Sequence, residues 1–446
     1  MGNKNIKIYL PKQVQYIIST LQSSKYEAYI VGGCVRDSLL EKEPKDWDIT
    51  TNALPHYVVE IFKDLGFKVV PIGIQYGTVT VVIDKENFEI TTYRSRNSNE
   101  KESFTNSLKE DLCKRDFTIN AMAYNDEAGL IDYFSGLENI DNKVIKCVES
   151  PLDRFSEDPL RMLRAYRFSA ELNFNIEKHT GEWIEKLSST IRIVSIERIR
   201  EEFNKILLSD NPKEIHNISA CGLLGHFIPE FDICEKTSQD NPHHIYTVGE
   251  HIIKTVESIE KKLSLRLTMF LHDICKPQCK TVDDKGIGHF YNHDEVSSIK
   301  AEEILKRMKY DNKTIEKVTT LVKYHDRRME GNKSIRNLLS LIGEDNFREL
   351  LKIKEADMMA QNPIYYEENH SKLLQIESKF NDIISSKQCF TIKDLAVNGK
   401  DLSDLGMKEG KEVGVVLNKL LSIVLENPAM NNKKILLNLV RENEMN

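Results

Sequence analysis

Two acids one residue apart, Asp46 and Asp48, follow the glycine turn Gly32-Gly33-Cys34-Val35-Arg36-Asp37, which ends the apolar run Glu27–Val31. Side chains at i and i+2 of an extended segment point to one face. Read as a strand, Pro44-Lys45-Asp46-Trp47-Asp48-Ile49-Thr50 therefore projects both carboxylates together and turns Trp47 the other way. Two carboxylates held that close repel each other unless a cation lies between them. An all-oxygen pair suits Mg²⁺, which completes its shell with substrate phosphates. The glycines let backbone N–H groups approach a phosphate closely, and Arg36 adds a forked donor for phosphate oxygens.

The surrounding pattern predicts a sheet with helices. Helices are expected over Lys12–Gln22, Val35–Leu40 and, opened by Leu54-Pro55, through about Leu65; proline sits well near a helix start. Strands are expected over Glu27–Val31, Asp46–Thr50, Phe67–Val70, Gly77–Ile83 and Phe88–Tyr93, the fourth rich in β-branched residues. From Arg154 onward helical periodicity dominates. One long amphipathic helix is expected to run through Leu172, and another over Ser195–Leu208 with Ser195 as its cap. Residues 209–250 are rich in Asn, Pro and Gly and are expected to be an irregular boundary. A chain of 446 residues exceeds one ordinary core. The expected division is an α/β head over 1–150, a helical neck and body over 151–235, a histidine-rich helical domain over 236–365 and a helical tail over 366–446.

Composition narrows the function. The net charge of −7 argues against indiscriminate coating of nucleic acid, so RNA binding needs a local basic face. No run of 18 apolar residues exists, so no membrane-spanning helix is expected, and Met1–Leu10 does not have the form of a secretory signal. A cytoplasmic protein is expected, its eight cysteines reduced. With no C-x-x-C among them, a cysteine zinc site is not expected.

Three motifs stand in order: Gly32-Gly33-x-Val35-Arg36-Asp37 with Asp46-x-Asp48; Lys114-Arg115-Asp116-Phe117-Thr118-Ile119-Asn120-Ala121-Met122-Ala123; and Glu157-Asp158-Pro159-Leu160-Arg161-Met162-Leu163-Arg164-Ala165-x-Arg167-Phe168. Over roughly residues 1–230 the chain resembles the class II tRNA nucleotidyltransferases (CCA-adding enzymes) and the bacterial poly(A) polymerases. The resemblance implies a polymerase-β-like nucleotidyltransferase head, a tRNA 3′ end as acceptor, CTP and ATP as donors, and Mg²⁺ held by Asp46 and Asp48. It further implies that Gly33 and Arg36 contact the triphosphate, and that Arg115 and Asp116 contact the bound nucleotide, Asp116 near its ribose. Such sites often take a third carboxylate from a neighbouring strand, for which Glu89 is the candidate.

Asp158, Arg161, Arg164 and Arg167 recur at intervals of three, each step turning about 300° on a helix, so neighbours share a face. An acceptor beside a forked donor can read a base edge. Cytosine and adenine each present an amino donor next to a ring-nitrogen acceptor, matching Asp158 and Arg161. Uracil and guanine present the reverse order, leaving polar groups unpaired. This matches the family's Glu-Asp-x-x-Arg template, with Arg164 and Arg167 facing phosphates or bracing it. The segment Ser95–Ser103 is shorter than in family members that add all of CCA, and it lacks their Tyr-x-Asp-x-Arg-x-Pro element. The resemblance ties that loop to the switch from C to A, which keeps CC-only addition open.

Seven of the twelve histidines fall between residues 243 and 325. Leu271-His272-Asp273-Ile274-Cys275-Lys276-Pro277 resembles the signature of HD-domain phosphohydrolases, with His251 upstream and His293, His325 and Asp357 downstream. Imidazole with carboxylate suits a divalent transition metal or Mg²⁺, and a metal there supports attack on a phosphoester. The resemblance suggests phosphatase or 2′,3′-cyclic phosphodiesterase activity. Alternatives are a CC-only, A-adding or poly(A)-adding enzyme, a phosphohydrolase whose head binds RNA, and a non-catalytic RNA-binding protein. No protein partner is expected.

Overall fold

The computed structural model describes residues 6–71, 73–95, 104–407 and 410–442. The chain divides into two units, Met1–Ile206 with Ala220–His226, and Leu207–Ser219 with Phe227–Asn446.

The first unit is built on seven strands: β1 (Ala28–Val31), β2 (Ile49–Thr51), β3 (Lys68–Val70), β4 (Thr78–Ile83), β5 (Glu86–Thr92), β6 (Met122–Asn125) and β7 (Gly129–Asp132). Their order in the sheet is β3-β4-β5-β2-β1-β6-β7. The β2–β5 pair is parallel, with Ile49 opposite Ile90, and every other pair is antiparallel. In β4, Val79, Val81 and Ile83 are buried while Thr78, Thr80 and Val82 are half-buried, the period-two pattern of a sheet packed on one face. Helices α1 (Lys12–Ser23), α2 (Gly33–Leu39), α3 (Pro55–Asp64), α4 (Leu108–Cys113) and α5 (Gly136–Asp141) complete this part. The buried stripe Val14, Ile17, Ile18 and Leu21 gives α1 its apolar face.

Two expectations are corrected here. The strand expected over Asp46–Thr50 begins only at Ile49. Its partner β1 ends at Val31, whose N–H donates to the Asp48 carbonyl at 3.0 Å, and the chain then leaves the sheet at Gly32. Asp46 and Asp48 thus occupy the segment feeding β2. The long helix expected through Leu172 is two: α6 (Pro151–Glu157) and α7 (Leu160–Leu172). Pro159 disfavours a helical residue before it, and Asp158 is extended, with φ −149° and ψ 99°. Helices α8 (Lys178–Leu187) and α9 (Ile196–Leu208) follow. The hairpin β6–β7 was not anticipated, because β6 is buried throughout and shows no alternation.

The second unit is helical apart from an antiparallel hairpin of Lys280–Val282 and Gly288–Phe290. The stretch expected to be irregular holds α10 (Glu214–Ala220) and α11 (Glu230–Glu235). Then come α12 (Val248–Ser258), α13 (Leu263–Leu271), α14 (Lys276–Cys279), α15 (His293–Arg307), α16 (Asn312–Tyr324) and α17 (Gly331–Met359), the last kinked at Gly343. α12 packs on α13 and α17, and α13 packs on α16. α18 (Tyr366–Ser385) lies along α17, and α19 (Gly399–Ser403), α20 (Lys411–Glu426) and α21 (Lys433–Glu442) close a core around Leu402, Leu420, Val424 and Leu436. All eight cysteines are free thiols. Among the described residues no helix is long and apolar enough to cross a membrane.

Candidate functional site

A cavity of about 520 Å³ in the first unit brings together Gly32, Gly33, Arg36, Asp46, Asp48, Arg115, Asp116, Asp158, Arg161, Arg164 and Arg167. Every head residue expected from sequence is there except Glu89, which is exposed on β5 opposite Thr80. The parallel register that pairs Ile49 with Ile90 sets Glu89 level with Asp48, but its side chain does not line the cavity.

The glycine turn is required by geometry at one position. Gly32 has φ +83°, and a Cβ there would lie 2.6 Å from Arg115 Nη1. Gly33 opens α2 and would meet only ordinary contact from Arg36. Arg36 donates to Asn120 Oδ1 at 2.7 Å and to Asp37 at 2.8 Å, and its guanidinium lies 5.0 Å from the Phe168 ring centre. Burial raises the Asp48 carboxyl above its ordinary value; Arg115 opposes this and Asp46 adds to it. Two carboxylates in one cavity, one held up by burial, suit a divalent cation.

Arg115 and Asp116, adjacent in sequence, do not pair with each other. Arg115 lies 3.7 Å from buried Asp111, which also receives the Arg94 N–H and the Thr50 hydroxyl. Asp116 accepts Arg164 at 2.9 and 2.6 Å, Asn120 at 3.0 Å and the Phe117 N–H at 2.8 Å. Burial pushes this carboxyl up, but Arg164 and the hydrogen bonds outweigh it and hold it at about 2. Because the folded value lies below the ordinary 3.8, the pairing stabilises the fold above about pH 4, and that stability is lost as pH falls through about 2. Asp116→Asn is expected to cost about 2 kcal/mol at neutral pH, the difference from the native protein shrinking between pH 4 and 2, as read by urea unfolding.

Arg161, Arg164 and Arg167 share a face of α7. Arg161 donates to the Arg154 and Lys114 carbonyls at 3.2 and 2.9 Å and to Glu157 at 2.9 Å. Three of the five N–H donors of a guanidinium are thus used, and two remain for a ligand. Asp158, at the joint between α6 and α7, is bound by Arg198 of α9 at 2.8 and 3.3 Å. Buried Glu202, also on α9, braces Arg167 at 2.5 Å and lies 3.8 Å from Arg164. Arg198, Glu202, Asn120, Asp111 and Lys114 were missed as site residues. Lys114 and Asn120 lay inside the second motif without an assigned role, and the stretch Arg198–Glu202 read as the polar face of a helix.

In the second unit the expected histidines and acids also converge. His251 comes from α12, His272 caps α13 with Asp273 just beyond, His293 opens α15, His325 caps α16 and Asp357 sits near the end of α17. His251 Nε2 is 2.9 Å from Asp357 and 3.3 Å from Asp273; His272 Nε2 is 3.1 Å from Asp273. His293 and His325 approach the other Asp273 oxygen at 3.3 and 3.7 Å. Each ring turns Nδ1 to a main-chain carbonyl: His251 to Ala360, His272 to Met269, His293 to Phe290 and His325 to Val322. A carbonyl only accepts, so each Nδ1 carries a proton and each Nε2 faces inward, the arrangement that orients metal-binding imidazoles. The trios His251, His272, Asp357 and His272, Asp273, His325 each bring their ligand atoms close enough to hold an ion. Burial lowers His272, but Asp273 and Asp357 raise it to about 9, a measure of how strongly these acids favour a cation. Neither oxygen of buried Asp273 has a hydrogen-bond partner, although Lys276 Nζ lies 2.7 Å from one.

Residues 28–146 match the family model of the poly(A) polymerase head domain, 173–234 that of an RNA- and SrmB-binding site of polymerase A, and 289–440 that of a tRNA nucleotidyltransferase domain 2. The CCA-adding enzyme of Pediococcus pentosaceus is 30% identical over 439 residues, covering 96% of both chains. That of Ligilactobacillus salivarius is 31% identical, covering 96% of this chain and 95% of its own. The crystal structure of the Bacillus stearothermophilus CCA-adding enzyme in complex with CTP superimposes with a TM-score of 0.73 at 26% identity, covering 98% of each chain. With an acid pair and a charged helix meeting in one cavity of the head, and relatives matched from end to end, the chain belongs to the CCA-adding enzymes, a family of tRNA nucleotidyltransferases.

Proposed function

We propose that in this CCA-adding enzyme Asp46 and Asp48 hold the Mg²⁺ at which C and A are joined to the tRNA 3′ end from CTP and ATP. The observation that carries this is the meeting of both acids with Asp158 and Arg161 in one cavity. Divalent ions bound there ease loss of the hydroxyl proton and offset charge on the departing pyrophosphate. The RNA 3′-oxygen adds to the α-phosphorus, the bond to pyrophosphate breaks, and one nucleotide is gained. Arg36 and Arg115 face the triphosphate from either side of the glycine turn. Asp158 accepts the amino group of cytosine or adenine, and a free donor of Arg161 meets the adjoining ring nitrogen. Arg198 neutralises Asp158 until a base takes its place. Register alone supports Glu89 as a third carboxylate. Of the segment expected to govern the C-to-A switch, residues 96–103 lie outside the described residues. The test is incubation with tRNA lacking its 3′ end, Mg²⁺, and labelled CTP and ATP singly and together. Extension by two residues with CTP and a third with both supports CCA addition; processive A tailing opposes it.

A second reading concerns the helical unit: an HD-type, metal-dependent phosphohydrolase with His251, His272, Asp273, His293, His325 and Asp357 as ligands. What supports it is the convergence of four Nε2 atoms on two acids, one of which, Asp273, also carries an ion pair to Lys276. Calorimetric titration with Mn²⁺ is expected to show saturable binding, weakened at least ten-fold in His272→Ala.

A further inference from the structure

We propose that this second site cleaves an internal phosphodiester of a single-stranded polynucleotide, the strand filling a cavity on each side of the ligands. The proposal rests on reading the cluster as a metal-dependent phosphohydrolase. Two cavities of the helical unit, about 380 and 670 Å³, are both lined by His325, Asp326, Arg328, Asp357 and Gln361. Two of the metal-ligand candidates therefore stand on the partition between them. Each volume falls within the range that holds a small organic group, about 300–1,000 Å³. A phosphomonoester carries a substituent on one side of phosphorus only and leaves the other cavity without a role. A diester within a strand carries one on both.

The two walls suit different parts of such a strand. In the smaller cavity His289 and Tyr291 stack with centroids 5.5 Å apart and planes inclined 7°, and Tyr291 is 69% exposed. An open aromatic plane accepts any unpaired base. The larger cavity carries Arg327, Arg328 and Lys379 with Lys372, which is paired with Glu368 at 2.6 Å, and Lys354, which donates to the His325 carbonyl at 2.7 Å, against three carboxylates, one of them Asp357 itself. In a chain of net charge −7 this is a local basic lining, which suits the successive phosphates of a backbone. Leu373 and Ile376 add apolar surface beside it. In the step itself, water adds to phosphorus and the P–O bond to one ribose oxygen breaks. That oxygen takes a proton from the water, and the other fragment keeps a terminal phosphate.

RNA and DNA share this chemistry, and the test separates them. The full chain, loaded with Mn²⁺ and without nucleoside triphosphates, is incubated with short 5′-labelled single strands of RNA and of DNA, and separately with bis(p-nitrophenyl) phosphate. Internal cleavage of one or both strands, lost in His272→Ala, is expected. Tyr291→Ala and Lys379→Ala are each expected to raise KM for the strand about ten-fold more than KM for the small diester, as loss of one stacked base or one phosphate contact does. Hydrolysis of the small diester with both strands left uncut, or trimmed only at a terminal phosphate, overturns the two-sided strand while leaving the metal site standing. No hydrolysis of any substrate, together with no Mn²⁺ binding, overturns the site as well.

Discussion

Asp46→Ala will reduce CTP incorporation into tRNA lacking its 3′ end by about three orders of magnitude, equivalent to roughly 4 kcal/mol of transition-state stabilisation. The argument is electrostatic. Asp48 is buried enough for its carboxyl to be held above the ordinary range, and Asp46 pushes it further in the same direction. Together they form an anionic pocket that a divalent ion satisfies; alone, Asp48 offers the ion one carboxylate in place of two. The loss should therefore appear in kcat at saturating CTP, because Arg36, Arg115 and the other residues proposed to hold the nucleotide are untouched. Thermal unfolding should be unchanged or slightly later, since a repulsion has been relieved. Incorporation at the native rate in Asp46→Ala would remove both acids from the chemistry.

Asp158→Ala will lower the preference for CTP over UTP, measured as the ratio of kcat/KM values, by about two orders of magnitude. In the proposed template the carboxylate is the acceptor that cytosine's amino group needs and that uracil's carbonyl oxygen repels. Without it the wrong base loses its penalty and the right base loses its partner. The α7 helix should lose one bond at its first residue, because Asp158 Oδ1 accepts the Leu160 N–H at 3.2 Å, but Pro159 sets the break whatever precedes it. Arg161→Ala should damage selection through a different route, since its guanidinium also ties the Lys114 and Arg154 carbonyls together. An unchanged CTP-to-UTP ratio in Asp158→Ala would place base selection elsewhere.

What the sequence made legible was local. The acids at 46 and 48, the glycine turn and the arginines at intervals of three lie within short windows, and the cavity gathers them as their spacing implies. Two errors had local causes that outranked periodicity. The acids precede their strand because β1 had already turned away at Gly32, and the long helix divides because a proline restricts the residue before it. The residues missed share a different property: their partners are distant in the chain. Arg198 meets Asp158 across 40 positions, Asn120 meets Arg36 across 84, and Glu202 reaches back to α7. Asn120 stood inside a quoted motif without being given a role, and nothing in the immediate neighbours of Arg198 and Glu202 marks them. Glu89 is the converse case, chosen for its strand and level with Asp48 in the ladder, yet exposed on β5.

One parallel pair in an otherwise antiparallel sheet separates the acids from the length of the chain that joins their strands. The β2–β5 register is held by ladder bonds and by the Thr50 hydroxyl on the Thr91 carbonyl, while α3, β3 and β4 lie between them in sequence. Insertions or deletions in that crossover leave the heights of residues 48 and 89 unchanged. The outer edge of the head can therefore change in length without moving Asp48 along β5.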